Sequence, residues 1–289
     1  MRIGLFTPVV VQHPGSSSPW EATATVDDLS RIAETADRLG YHYMTCSEHV
    51  AVPTDVVAER GGTYWDPLAT FGFLAARTNR IAFATQVLVL GYHHPLEVAK
   101  RYGTLDVVSG GRLILGVGVG SLREEFDLLG ARFDGRGPVA DDAMRALRAS
   151  LGQREPRYSG EHFDFSDITV SPAAVQRRVP LWVGGRSLRS LRRATGLGDG
   201  WVPFGLDHDA IAGMLARVDV PNGFEVVLST GAPLDPMADP TACHAALDSV
   251  RGIGATVATA TLTARSAEHY CEQVEALAEL GRDAGVDLG

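Results

Sequence analysis

The sequence predicts an α/β fold, a single (β/α)₈ TIM barrel over residues 1–289 with insertions after strands two and four and a short hairpin before strand five. Three observations carry that reading. Short apolar β-type runs alternate eight times with longer runs of helical period, the order that builds a parallel sheet covered by helices. A length of 289 residues suits one barrel, which exceeds the usual domain size. The first strand-like run ends in Thr7-Pro8-Val9-Val10, where an open doubly wound sheet would carry a glycine-rich phosphate turn.

Taken in order, strand one is Ile3 to Pro8, and helix one runs from Asp27 to Leu39 with a stop at Gly40. Strand two is Tyr41 to Ser47. Asp66 is a good N-cap, and Pro67 at the first helical position opens helix two, which continues to about Thr78. Strand three is Arg80 to Leu90. Helix three starts near Pro95 and ends before Ser109-Gly110-Gly111, and strand four is Arg112 to Val119. Helix four covers roughly Pro138 to Leu151. Arg157 to Thr169 reads as a hairpin with Ser159-Gly160 as its turn and Phe163 and Phe165 alternating beyond it. Strand five is Pro180 to Gly184 and helix five Ser187 to Thr195. Strand six is Gly200 to Phe204 and helix six Asp207 to Val218. Strand seven is Phe224 to Thr230, and helix seven about Pro240 to Gly252. Strand eight is Thr256 to Thr263 and helix eight Ser266 to Gly281. Val50 to Trp65 and Arg123 to Pro138 are irregular stretches, each readable as a lid over the mouth or as a dimer surface.

Composition removes several function classes. The formal net charge is −9, and there is no basic stripe of the kind that binds nucleic acid. No apolar segment reaches the roughly 18 residues of a membrane span, and no signal-like pattern precedes the first strand. Cys46, Cys243 and Cys271 show no metal or disulfide spacing, which suits a reducing cytoplasm and leaves no metal site expected.

Barrel enzymes place their chemistry at the C-terminal ends of the strands. Strand two ends in Ser47-Glu48-His49. An imidazole with an ordinary pKa of about 6.5 at that position suits proton transfer, or else holds a loop. Glu48 either orients it or pairs with a distant arginine. Polar Thr85 and Gln86 interrupt an apolar strand three and either line a cofactor face or satisfy one another. Strand four ends in Gly116-Val117-Gly118-Val119-Gly120, where Gly118 lets a planar ligand come close to the backbone. That run lacks the context of a dinucleotide fingerprint. Gly184-Gly185-Arg186-Ser187 puts glycines and a serine cap before helix five, the recipe for an anion site. Arg189, Arg192 and Arg193 lie on or beside that helix. Trp201 adds an aromatic on strand six. His93-His94 lacks a third metal ligand and reads as a loop or cofactor contact.

Six runs in this order resemble the luciferase-like monooxygenase superfamily: Ala33 to Tyr41, Ser47-Glu48-His49, Leu105 to Leu113, Gly116 to Gly120, Trp182-Val183-Gly184-Gly185 and Gly198-Asp199-Gly200-Trp201. The likeness covers about residues 1 to 220 and leans towards the branch that uses the deazaflavin coenzyme F-420. It implies a ring at the barrel mouth, flanked by Ala84, Thr85, Gln86 and Val87, and a phosphate on Gly184 to Ser187. It also implies His49 as the acid/base and a cis peptide at Gln86-Val87. Two positions depart from the family's sugar-phosphate dehydrogenases: Val50-Ala51-Val52-Pro53 holds no tryptophan, and Ser121 stands where they carry a glutamate. The expected function is therefore an oxidoreductase that moves hydride between F-420 and a small organic substrate, working as a cytoplasmic homodimer. The alternatives are an FMN-dependent monooxygenase fed by a partner reductase, and a non-catalytic flavin-binding relative.

Overall fold

The computed structural model describes residues 1–289. Eight parallel strands close on themselves: β1 (Arg2–Leu5), β2 (Tyr43–Cys46), β3 (Ala82–Thr85), β4 (Leu113–Gly118), β5 (Leu181–Gly184), β6 (Gly200–Val202), β7 (Glu225–Ser229) and β8 (Val257–Ala260). Each pairs with the next, and β8 returns to β1 with Arg2 opposite Val257 and Leu5 opposite Ala260. The helices between them are α1 (Val26–Leu39), α2 (Pro67–Ala75), α3 (Pro95–Ser109), α4 (Arg136–Ser150), α5 (Leu188–Leu197), α6 (His208–Leu215), α7 (Pro240–Ile253) and α8 (Ala267–Asp283).

Local chemistry explains the boundaries. Thr25 caps α1 by accepting from the Asp28 amide, and Gly40 ends it in the left-handed region at φ 86°. Asp66 caps α2 with Pro67 in the first turn, as expected. The strands are shorter than the apolar runs suggest, because those runs continue into buried loop segments at the mouth, such as Thr7 to Val11. Strand three is the clearest case. It stops at Thr85, bends through Gln86 and Val87, and resumes as Leu88–Val89 beside Val117 and Gly118. The expected hairpin forms from Tyr158–Ser159 and Asp164–Phe165, but its connection is Gly160 to Phe163 rather than Ser159-Gly160. Asp142 on α4 sets that longer turn by accepting from the amides of His162 at 2.7 Å and Phe163 at 3.1 Å.

Two apolar layers result. Tyr43, Ala84, Ile114, Trp182, Val202, Val227 and Val257 fill the barrel, and a larger cluster seals the barrel against the helices. Tyr43 and Trp182 meet edge to face, with centroids 5.1 Å apart. Below them, Glu225 joins Arg2 and the Trp182 indole N–H and closes the N-terminal end. Access to the barrel axis is therefore from the opposite end. No helix is long and apolar enough to cross a membrane.

Candidate active site

At the open end, the three residues after β2 divide the work. Ser47 donates from Oγ to the Gln86 carbonyl at 2.7 Å. Glu48 accepts the Val89 amide at 2.7 Å and pairs with His93 Nε2 at 2.7 Å. Ser47 and Glu48 thus hold the bent segment after β3. Glu48 neither orients His49 nor pairs with an arginine, contrary to both sequence expectations. Burial works against a charged His93, but the hydrogen bond and charge of Glu48, helped by Glu97, outweigh it and raise the imidazole above its usual value.

His49 is oriented instead by Glu125. Its Nδ1 lies 2.7 Å from Glu125 Oε2, and the Tyr92 hydroxyl donates to the same oxygen at 2.8 Å. The other oxygen accepts the amides of Val50 at 2.6 Å and Ala51 at 3.2 Å. Glu125 is fully buried. Burial alone would push its carboxyl up, but the hydrogen bond and charge of His49, then the Tyr92 hydroxyl and the Ala51 amide, hold it below its usual value. An ionised Glu125 accepts from Nδ1–H, which leaves Nε2 as the ring atom able to take or give a proton. The His49 side chain is 19% exposed, so the imidazole is not sealed from the mouth. Tyr64 packs edge-on to the imidazole with centroids 4.5 Å apart.

Glu125 was hidden because its segment, Arg123-Glu124-Glu125-Phe126, opens the stretch Arg123 to Pro138 expected to be irregular. It is in fact a short helix, Arg123–Leu128, with Glu125 and Phe126 turned inward. Ser121 keeps the departure noted at that position, and a carboxylate reaches His49 from four residues further on. Ser121 itself lies 3.4 Å from an Arg60 guanidinium nitrogen. Tyr92 and Tyr64 also carried no local signal. Tyr64 is delivered by the Val50–Trp65 insertion, whose Thr63–Tyr64 strand pairs with Val11–Gln12.

The glycines after β4 and β5 make room for the chain itself. A Cβ on Gly116 would fall 1.9 Å from the Thr85 carbonyl oxygen. One on Gly118 would fall 2.6 Å from Val87 Cγ2, and one on Gly184 2.7 Å from Val87 Cγ1. Val87 thus occupies the space that the sequence reading reserved for a ligand against Gly118. Thr85 is also inward and buried, with Oγ1 donating to the Gly116 carbonyl at 2.7 Å. The Gln86–Val87 peptide is cis, and both side chains are half-exposed at the mouth.

The loop after β5 has the expected form. Ser187 is the N-cap of α5, and its hydroxyl and the Ser190 hydroxyl accept each other's amides at 3.3 and 3.2 Å. Gly185 adopts φ 150°, and the Arg186 side chain is exposed. The first-turn amides of Leu188 and Arg189 have no helical partner and point out of the helix end. Trp201 is a correction. It is fully buried, and its indole N–H lies 3.3 Å from Ser190 Oγ, so it supports the α5 cap from behind rather than facing a ligand. Arg193 is likewise committed, to Asp141 on α4. Of the paired histidines, His93 binds Glu48 and His94 caps α3 by accepting the Leu96 amide. No cluster of three metal-ligating side chains forms.

The chain is thus a closed parallel α/β barrel with an imidazole–carboxylate pair and a serine-capped helix start at its mouth. Residues 1–229 match the model of the luciferase-like monooxygenases, and the chain belongs to that family. An uncharacterized protein of Mycobacterium tuberculosis is 30% identical over 199 residues, which is 65% of this chain and 68% of the relative. Among solved structures, a monooxygenase from Streptomyces bottropensis superposes with a TM-score of 0.77 at 22% identity, over 96% of this chain and 98% of that one. The coenzyme F-420-dependent tetrahydromethanopterin reductase of Methanopyrus kandleri gives 0.72 at 12% identity, over 96% and 98%. EDTA monooxygenase from Chelativorans gives 0.76 at 12%, over the whole of both chains. At these identities the superpositions establish the shared fold.

Proposed function

We propose that this protein is an oxidoreductase that binds a deazaflavin of the F-420 type at the barrel mouth and transfers hydride to or from a small organic substrate. The observation that carries the reading is the buried Glu125 clamp on His49. Four donors converge on one carboxylate, and the product is an imidazole with one nitrogen fixed and the other available. Such a clamp is what a proton donor or acceptor beside a hydride transfer needs.

The residues at the mouth fit the group. Arg186, the Leu188 and Arg189 amides and the positive end of α5 would hold a phosphate, with Gly184, Gly185 and Ser187 shaping the loop. The exposed Arg189 and Arg192 suit an acidic tail. Gln86 and Val87 would back the ring; Gly118 and Gly184 act through Val87, and Thr85 and Trp201 act from behind. The bound deazaflavin supplies the hydride chemistry. His49 Nε2 would exchange the accompanying proton, with Glu125 stabilising the imidazolium that forms and Tyr92 fixing the carboxylate.

The second reading is an FMN-dependent monooxygenase that receives reduced flavin from a partner reductase. Likeness to the Streptomyces and Chelativorans monooxygenases favours it. Calorimetric titration of the purified protein with FMN and with F-420 separates the two. Tight FMN binding without F-420 affinity would overturn the first. Cellular location and a homodimeric state belong to the same proposal and are checked by fractionation and light scattering.

A further inference from the structure

The barrel end opposite His49 carries an open cleft of about 640 Å³. It is formed where Arg178 precedes β5, Thr195 to Asp199 precede β6 and Pro221 to Phe224 precede β7, with Arg145 and Arg148 projecting from α4. Its charge balance is unusual for a chain of net charge −9. Three guanidinium groups line it, against the single carboxylate of Asp199.

That carboxylate is saturated. Asp199 accepts from Arg148 Nη2, from Arg178 Nε at 3.0 Å and Nη2 at 2.7 Å, and from the Leu181 amide at 2.8 Å. It can neutralise one arginine of the three. The C-terminal ends of α4 and α5 lie at this face and add about half a negative charge each, leaving about one positive charge uncompensated. Donors are left over as well. Arg148 gives Nη1 to the Val179 carbonyl at 2.8 Å, but its Nε is buried without a partner. That N–H marks a guanidinium whose own hydrogen-bonding capacity is incompletely met. Arg178 keeps Nη1, and Arg145 on the exposed side of α4 keeps its whole fork. Arginines that served only to anchor the start of β6 would need neither a surplus charge nor a cleft of this size.

We propose that this cleft binds the phosphate dianion of a small polar phosphate compound, at a site separate from the barrel mouth. Phosphate matches the donors: three oxygens and two charges answer guanidinium groups supplied by three separate arginines. The body attached to it should be polar, since only Leu197 and Phe224 among the lining residues are hydrophobic. Inorganic phosphate and a sugar phosphate share this chemistry.

The test is calorimetric titration of the full chain at low salt with inorganic phosphate and with ribose 5-phosphate. Three proteins are compared: the wild type, the double variant Arg145→Gln/Arg178→Gln, and Arg186→Gln at the mouth, each checked for folding by circular dichroism. The expected result is saturable binding that survives Arg186→Gln and weakens at least tenfold in the double variant. Tighter binding of ribose 5-phosphate identifies an ester as the ligand, and equal binding identifies the free ion. The proposal is overturned by the absence of saturation at millimolar phosphate. It is equally overturned by loss only in Arg186→Gln, or by equal weakening in both variants. Arg148 is left intact because it is the more buried partner of Asp199 and also holds the Val179 carbonyl ahead of β5.

Discussion

Replacing Glu125 by glutamine changes one atom and should reverse the chemistry of His49. In the wild type the carboxylate accepts from four groups: His49 Nδ1, the Tyr92 hydroxyl and the Val50 and Ala51 amides. The glutamine carbonyl oxygen has to stay on the two amides, because the opposite orientation would set donors against donors. Its NH₂ then faces His49 and Tyr92. Tyr92 can turn its hydroxyl to accept, and His49 can accept at Nδ1 only as the Nε2–H tautomer. All four hydrogen bonds lose their charge assistance, falling from about 1.5–3 to about 0.5–1.5 kcal/mol each, and the neutral amide is spared part of the carboxylate's burial penalty, so a net loss of about 1.5–3 kcal/mol is expected in denaturant unfolding at neutral pH. Because the Glu125 carboxyl is held below its usual value, its stabilisation is present above the unfolded pKa of about 4.3 and is lost as pH falls through the lower folded value. The variant should lack that acid-limb slope. Nitrogen-15 spectra of the imidazole read the tautomer directly: protonated Nδ1 in the neutral wild type, protonated Nε2 in Glu125→Gln. Turnover should fall by about 10²–10⁴-fold, the range that positioned acid–base groups contribute, with cofactor affinity little changed. The same tautomer and undiminished turnover in both proteins would refute the clamp.

The Glu48–His93 pair has the opposite pH signature. Its raised folded pKa stabilises the protein fully below the unfolded value of about 6.5, and that contribution is lost as pH rises through the folded value. Urea midpoints from pH 5.5 to 9 should therefore decline more steeply in the wild type than in His93→Gln; parallel curves would show that the pair carries no linkage. Ser187→Ala removes the α5 cap and should cost about 1 kcal/mol in urea unfolding while weakening FMN or F-420 binding in the same titrations. Stability loss with unchanged affinity would take the phosphate off that loop. Gly118→Ala sets a methyl 2.6 Å from Val87 and should cost about 1–3 kcal/mol. Adding Val87→Ala should recover part of it, and strict additivity of the two would mean that they do not share the space.

The barrel was legible because its information is local and repeated. Gly40 stops α1, Asp66-Pro67 opens α2, and Ser187 opens α5, each by chemistry within a few residues. His49 was legible by position, since a polar group at a strand's C-terminal end faces the mouth. Its partner was not. Glu125 lies 76 residues away in a segment whose neighbours are charged, and only the folded chain turns it inward. The same applies to Glu48, where adjacency to His49 suggested a partnership and alternation in an extended segment sent the side chain elsewhere. Pairings across the mouth join loops that follow different strands, and nothing in either loop announces the other.

The glycines show why a correct motif can yield the wrong contact. A glycine marks a place where something comes within van der Waals range of the backbone, and sequence says nothing about what that something is. At Gly116, Gly118 and Gly184 it is the bent segment after β3, so the three positions preserve the path of Thr85 to Val87 rather than a gap for a ring. That segment is also held by Ser47 and Glu48, whose neighbour His49 carries the proposed proton chemistry. The segment proposed to back the ring and the imidazole are consequently fixed to one another through two residues of β2's own C-terminal loop. A substitution at Gly118 or Gly184 should then disturb cofactor binding and His49 geometry together, even though neither glycine would need to touch the ligand.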